Sequence, residues 1–133
     1  MTVGLDHFRA AMLLAVIEKK LGYQFGGEDI YLNVAGGVTI DEPAADLGIL
    51  LSVVSGLRNK AVPSDLAVFG EVGLSGEIRS VAQALARVKE AAALGFTTVL
   101  LPQGNADGLR KEETGDIQLI GVASVRQAAD MFF

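Results

Sequence analysis

Apolar residues recur at helical spacing near the start of the chain. Phe8, Met12, Ala15 and Val16 fall on one side, and Leu13 and Ile17 widen it. That spacing predicts a helix over Leu5–Lys20 with this face inward. Lys19 and Lys20 suit the negative end of its dipole, and Gly22 suits its C-cap. The alternating run Asp29–Val34 predicts a strand ended by Ala35-Gly36-Gly37. Pro43 then suits the first turn of a helix running to Leu57. This helix is apolar nearly all round, so it should be buried on most sides, with Gly48, Ser52, Ser55 and Gly56 keeping it slim.

Further along, Ala67–Gly70 and Glu77–Arg79 read as short strands joined by a tight turn at Ser75-Gly76. Ser80 suits the N-cap of a third helix, Val81–Leu94, closed by Gly95. Its inward stripe is Val81, Ala84, Leu85, Val88 and Ala92. Thr97–Leu101 reads as a buried strand stopped by Pro102, Asn105 as the cap of a short helix, and Ile117–Ile120 as another strand. Ser124 suits the cap of a last helix carrying Val125, Ala128, Ala129 and Phe132. The alternation of helices and strands gives an α/β (α+β) fold class, a mixed β-sheet packed with about four helices.

A chain of 133 residues is long enough for one domain with a substantial core, here 1–133. With 50% hydrophobic and 20% charged residues, disorder is excluded as the general state. Cysteine is absent, which removes disulfides, thiolate metal sites and a cysteine nucleophile. No signal peptide is evident, and the longest apolar run, Leu47–Val54, falls short of the roughly 20 residues a membrane span needs. A cytoplasmic protein without membrane contact is expected. The net charge of −5 argues against strong nucleic-acid binding by the domain alone. A local basic face from Arg58, Lys60, Arg79, Arg87 and Lys89 is the candidate DNA or subunit contact, with a solvated charged surface as the plainer reading.

Two motifs narrow the field. Asp41-Glu42-Pro43-Ala44-Ala45-Asp46 opens the apolar helix, and Phe69-Gly70-Glu71-Val72-Gly73-Leu74-Ser75-Gly76-Glu77-Ile78-Arg79 follows it. With Asn33-Val34-Ala35-Gly36-Gly37, they resemble the Lon proteolytic domain, and more closely the Lon-like C-terminal domain of the RadA (Sms) family of bacterial DNA repair proteins. Lon-type peptidases use a serine activated by a partly desolvated lysine, with backbone N–H groups receiving the oxyanion. The resemblance puts the serine position at Ala44 and the lysine position at Leu85. Glu42 and Asp46 stand where the peptidases carry glycine. Neither a methyl nor an isobutyl group can move a proton, so a paired loss of catalysis is expected, and no catalytic, cofactor or metal residue.

The resemblance implies a domain excised from a longer ATP-dependent motor that moves DNA branches. The parent would be a homo-oligomeric, hexameric ring acting on branched or single-stranded DNA. Its zinc finger and ATPase core, which would hold Zn and ATP with Mg, have no counterpart here, since there is no cysteine and no phosphate-loop motif. The domain itself would then serve as an oligomerisation scaffold and auxiliary DNA contact.

The alternative is an active serine peptidase with a displaced pair, Lys89 lying one turn beyond Leu85 with Ser52 or Ser55 as nucleophile. Asp46 reads either as a functional acid or as a first-turn acid satisfying free N–H groups and the positive helix end, the latter being favoured. Gly36-Gly37 reads as a turn rather than a phosphate cradle, because Asp41, Glu42 and Asp46 would repel phosphate. His7, the one histidine, has no partner ligand in sequence.

Overall fold

The computed structural model describes residues 7–23 and 42–133. The expected strand Asp29–Val34, the Gly36-Gly37 turn and the side chain of His7 lie outside the described residues. The first helix, α1 (His7–Val16), passes into a π-helical turn, Ile17–Leu21, and ends at Gly22 with φ 79. That left-handed geometry is what a glycine cap supplies. A 3-10 turn, Pro43–Ala45, leads into α2 (Asp46–Arg58). Strand β1 (Leu66–Val68), the hairpin β2 (Glu71–Val72) and β3 (Ile78–Arg79), and α3 (Ala84–Ala93) follow. The chain finishes with β4 (Thr98–Pro102), short helices α4 (Gln103–Asp107) and α5 (Lys111–Thr114), β5 (Gln118–Val122) and α6 (Val125–Phe132).

The fold class is α/β. Strands β1, β4 and β5 form a parallel sheet in that order, with Val68 opposite Leu100 and Leu100 opposite Ile120. Because successive strand residues point to opposite faces, this sheet feeds two cores. Val68, Leu100 and Ile120 join one cluster with Leu47, Leu50, Leu51 and Val54 of α2, Leu13 and Ile17, and Val125 and Ala128 of α6. Phe69, Val99, Leu101 and Leu119 face the other side and pack with Val88 and Ala91 of α3 and with Ala44. Helices thus cover both faces of a parallel sheet, as parallel pairing requires.

Several expectations change. The strand Ala67–Gly70 does not pair with Glu77–Arg79: β1 runs parallel to β4, and the partner of β3 is β2, Glu71 facing Arg79. Among the described residues the parallel pairing lies in β1, β4 and β5 and the antiparallel pairing in β2 and β3. The turn at Ser75-Gly76 is present but closes β2–β3, where Gly76 N–H donates to Gly73 O.

On α1 the expected inward face holds at Leu13, Val16 and Ile17, with Met12 packed against the same core, and fails at Phe8 and Ala15. Ala10, Leu13, Val16 and Ile17 are buried, while Phe8 is 80% exposed and Ala15 is exposed. Both sides of this helix are apolar, so spacing alone did not set the edges of the inner one. Ala91, rather than Ala92, completes the buried side of α3.

Nor does Ser80 cap α3. The helix starts at Ala84, after Gln83 in a left-handed conformation with φ 61. Residue Asn105 explains the delay, since its side-chain amide accepts from Val81 N–H at 2.9 Å and donates to Val81 O at 3.0 Å. Those bonds hold Val81 out of the helix, and Asn105 sits inside α4 rather than at its cap. At the last helix Ser124 Oγ accepts from Gln127 N–H at 3.1 Å, the expected cap.

Candidate functional site

The helix start at Glu42–Asp46 is fixed from several sides. Pro43 supplies the φ of a first helical residue and has no N–H to satisfy. The carboxylate of Glu42 accepts from Ala44 N–H at 3.2 Å, and Glu42 O accepts from Ala45 N–H at 3.0 Å. One residue on, Ala44 O accepts from Gly70 N–H at 2.8 Å, and Gly70 O accepts from Leu47 N–H at 3.0 Å. The turn is thereby stitched to the segment between β1 and β2. A side chain at Gly70 would meet Ile78, Pro102 and Leu47 at 3.2–3.4 Å, so only glycine permits this approach. Ala44 itself is 2% exposed, and its methyl packs in the apolar cluster of Phe69, Val88, Ala91, Val99 and Leu101.

Asp46 is fully buried, the single buried charged side chain among the described residues. It does not cap its own helix. One carboxylate oxygen receives the Arg9 guanidinium from α1 at 2.6 Å, and the other accepts from Val72 N–H of β2 at 3.1 Å. Asp46 does stand in the first turn of α2, as expected, but the free N–H it satisfies belongs to the hairpin. Burying a carboxyl group is costly unless a counter-charge and hydrogen bonds offset it, and Asp46 has both. A lone acid at the head of an apolar helix was the one signal from which such a partner could have been sought. Its identity depended on how α1 crosses α2, which periodicity does not give.

Leu85 is half-buried on α3. The displaced serines are engaged elsewhere: Ser52 Oγ donates to Gly48 O at 2.9 Å and Ser55 Oγ to Lys60 O at 2.7 Å. Lys89 stands exposed on α3.

The basic candidates are spread over different elements. Arg58, at the end of α2, donates to Phe133 O at 3.3 Å, and Lys60 is exposed just beyond it. Arg79 grips Glu77 of its own hairpin at 2.9 Å, and this bond, with the N–H of Ser75, holds the Glu77 carboxyl below its ordinary value. Arg87 is turned inward. Its guanidinium lies 6.0 Å from the centre of the Phe69 ring, donates to Ala82 O at 2.9 Å and reaches Glu42 at 3.4 Å. These contacts tie α3 to the helix start and occupy the side chain that sequence assigned to an outer face. Among the described residues no three His, Cys, Asp or Glu side chains converge as a metal site would require, and no helix is long and apolar enough to cross a membrane.

The chain is 47% identical over 132 residues to the DNA repair protein RadA of Pseudomonas aeruginosa, covering 99% of the chain. It is 47% identical over 129 residues to that of Bacillus subtilis and 43% identical over 130 residues to that of Escherichia coli, covering 96% and 98% of the chain. In each case the chain spans 28% of the relative's length. With residues 9–105 matching its model, the chain belongs to the family described as subunit ChlI of Mg-chelatase.

Proposed function

We propose that this chain is a catalytically inert Lon-like domain of a RadA-type DNA repair protein, acting as an oligomerisation scaffold with an auxiliary DNA contact. The relatives named DNA repair protein RadA support the repair role. The observation that carries the inert reading is the burial of Ala44. A nucleophile must meet its substrate and its base. The side chain at the expected serine position instead fills an apolar cluster, at 2% exposure. Leu85 at the expected lysine position adds no proton carrier. The helix start keeps its shape through Glu42, Gly70 and Asp46 without either group.

On this reading the whole protein is a cytoplasmic, ATP-dependent, hexameric motor working on branched or single-stranded DNA. Its zinc and nucleotide sites lie in regions outside this chain. Sedimentation of the domain tests the scaffold. Self-association at high concentration is expected, and a strict monomer whose deletion leaves the full protein's hexamer intact would sink the idea. A fluorophosphonate probe with a casein digest tests inertness. No labelled serine is expected, whereas labelling abolished by Lys89→Ala would establish the displaced peptidase. For the DNA contact, salt-dependent gel shifts should show weak binding that falls further in the Arg79→Ala, Arg87→Ala, Lys89→Ala triple variant.

A further inference from the structure

The β2–β3 hairpin presents an apolar side chain where turns usually carry polar ones. Leu74 is 73% exposed at its tip. The tip is also rigidly held. Gly73 N–H donates to Glu77 O at 2.9 Å, Gly76 N–H to Gly73 O at 2.9 Å, and Ser75 N–H to the Glu77 carboxylate at 3.1 Å. Behind it, Gly76 with φ 81 lies so close to Lys20 and Val125 that an added side chain would meet them at 3.1–3.4 Å. The backbone that carries Leu74 is thus ordered before docking and has little freedom left to lose.

The hairpin sits at the C-terminal ends of the parallel strands. Ile78 N–H donates to Ala123 O, just past β5, and Gly70 follows β1. At the opposite end of the sheet, where β5 begins, there is a groove of about 430 Å³. Its apolar wall is Leu109, Ile117 and Leu119, and its rim carries Lys111 and Asp116. The hairpin brings charges of both signs beside Leu74, with Glu77 42% and Arg79 57% exposed, so each has a counterpart of opposite sign on the rim.

We propose that Leu74 of one copy docks in the Leu109–Leu119 groove of the next, Glu77 meeting Lys111 and Arg79 meeting Asp116. Knob and groove lie at opposite ends of one sheet, so the contact is head to tail. Contacts of that kind repeat around a closed ring or along a filament, whereas a two-fold dimer would need one self-complementary patch. This inference rests on the scaffold reading and names the surface that reading lacks.

The absence of native cysteine makes the test clean. Ser75→Cys and Gln118→Cys, both at exposed positions, are placed singly and together. Under mild oxidation the double variant should form a ladder of linked copies, and the singles should not. Singles that link as readily as the double would mean a two-fold contact and overturn the proposal. So would an absent ladder in a chain that sediments as an oligomer, which leaves the scaffold standing with its interface elsewhere. A chain that sediments as a monomer overturns both. Leu74→Asp should abolish self-association with the circular dichroism spectrum unchanged. Retained association would count against the docking.

Discussion

Two carboxylates hold the β2–β3 hairpin, and each pairs with an arginine while accepting a backbone N–H. Asp46 takes Arg9 and Val72 N–H with no exposure to solvent. Glu77 takes Arg79 and Ser75 N–H at the surface. The chemistry is the same and the surroundings differ. Water can replace any partner that Glu77 loses, but nothing replaces a partner of Asp46. The buried pair joins α1, α2 and β2, elements far apart in sequence, while the exposed pair joins residues of one turn. The first therefore fixes how elements meet, and the second only shapes a loop.

The largest effect should come from Arg9→Ala, which leaves the Asp46 carboxylate buried without its cation. Removing one partner of a buried pair costs on the order of 3–5 kcal/mol. Urea unfolding should show the midpoint fall accordingly. Asp46→Ala should cost less, about 1–3 kcal/mol, because it strands only Val72 N–H while the partly exposed Arg9 turns to water. The double variant should be no less stable than Arg9→Ala alone. Additive losses in the double-mutant cycle would mean the two side chains act independently and would break the comparison.

How much of this was legible follows from the kind of signal each element carries. Helix α2 was legible because Pro43 marks its start and its apolar residues leave no ambiguity. Ser124 was legible because a cap is a local interaction, made within four residues of chain. The pairing of β1 was not, because β4 lies a whole crossover away and adjacency in sequence suggested the hairpin instead. The start of α3 was hidden for the same reason, since Asn105 reaches Val81 across the fold. At the candidate site, Ala44 and Leu85 could be picked out from sequence alone as the positions to inspect. The burial of Ala44, the inward turn of Arg87 onto Phe69 and the Arg9 partner of Asp46 needed the packing.

Gly70→Ala probes the same buried junction without touching charge. The added methyl would press on Ile78, Pro102 and Leu47 at 3.2–3.4 Å, and overpacking of this kind costs about 1–3 kcal/mol. The loss should appear in thermal unfolding and should not depend on salt. Since Gly70 and Asp46 both anchor the hairpin to α2, Gly70→Ala combined with Asp46→Ala should fall short of the sum. Ser124→Ala lies outside this junction. It should cost about 1 kcal/mol, the value of a lost cap, and add to either change.

The smallest effect belongs to the exposed pair, and it carries the opposite salt signature. Glu77 has its carboxyl lowered first by the Arg79 side chain and then by backbone N–H groups, with desolvation opposing them. A carboxylate whose folded value lies below its unfolded one stabilises the fold at pH above the unfolded value. That contribution disappears as pH falls through the folded value, below the ordinary carboxylate range. Glu77→Gln should therefore leave the midpoint of unfolding nearly unchanged at neutral pH in moderate salt, since exposed pairs are screened. At low ionic strength a small loss should emerge, and it should close again as the solution is acidified and the wild-type carboxylate takes up its proton. If Glu77→Gln instead matched Arg9→Ala at every salt concentration, solvent exposure would not separate the two pairs. The hairpin would then be held from its tip as firmly as from its base.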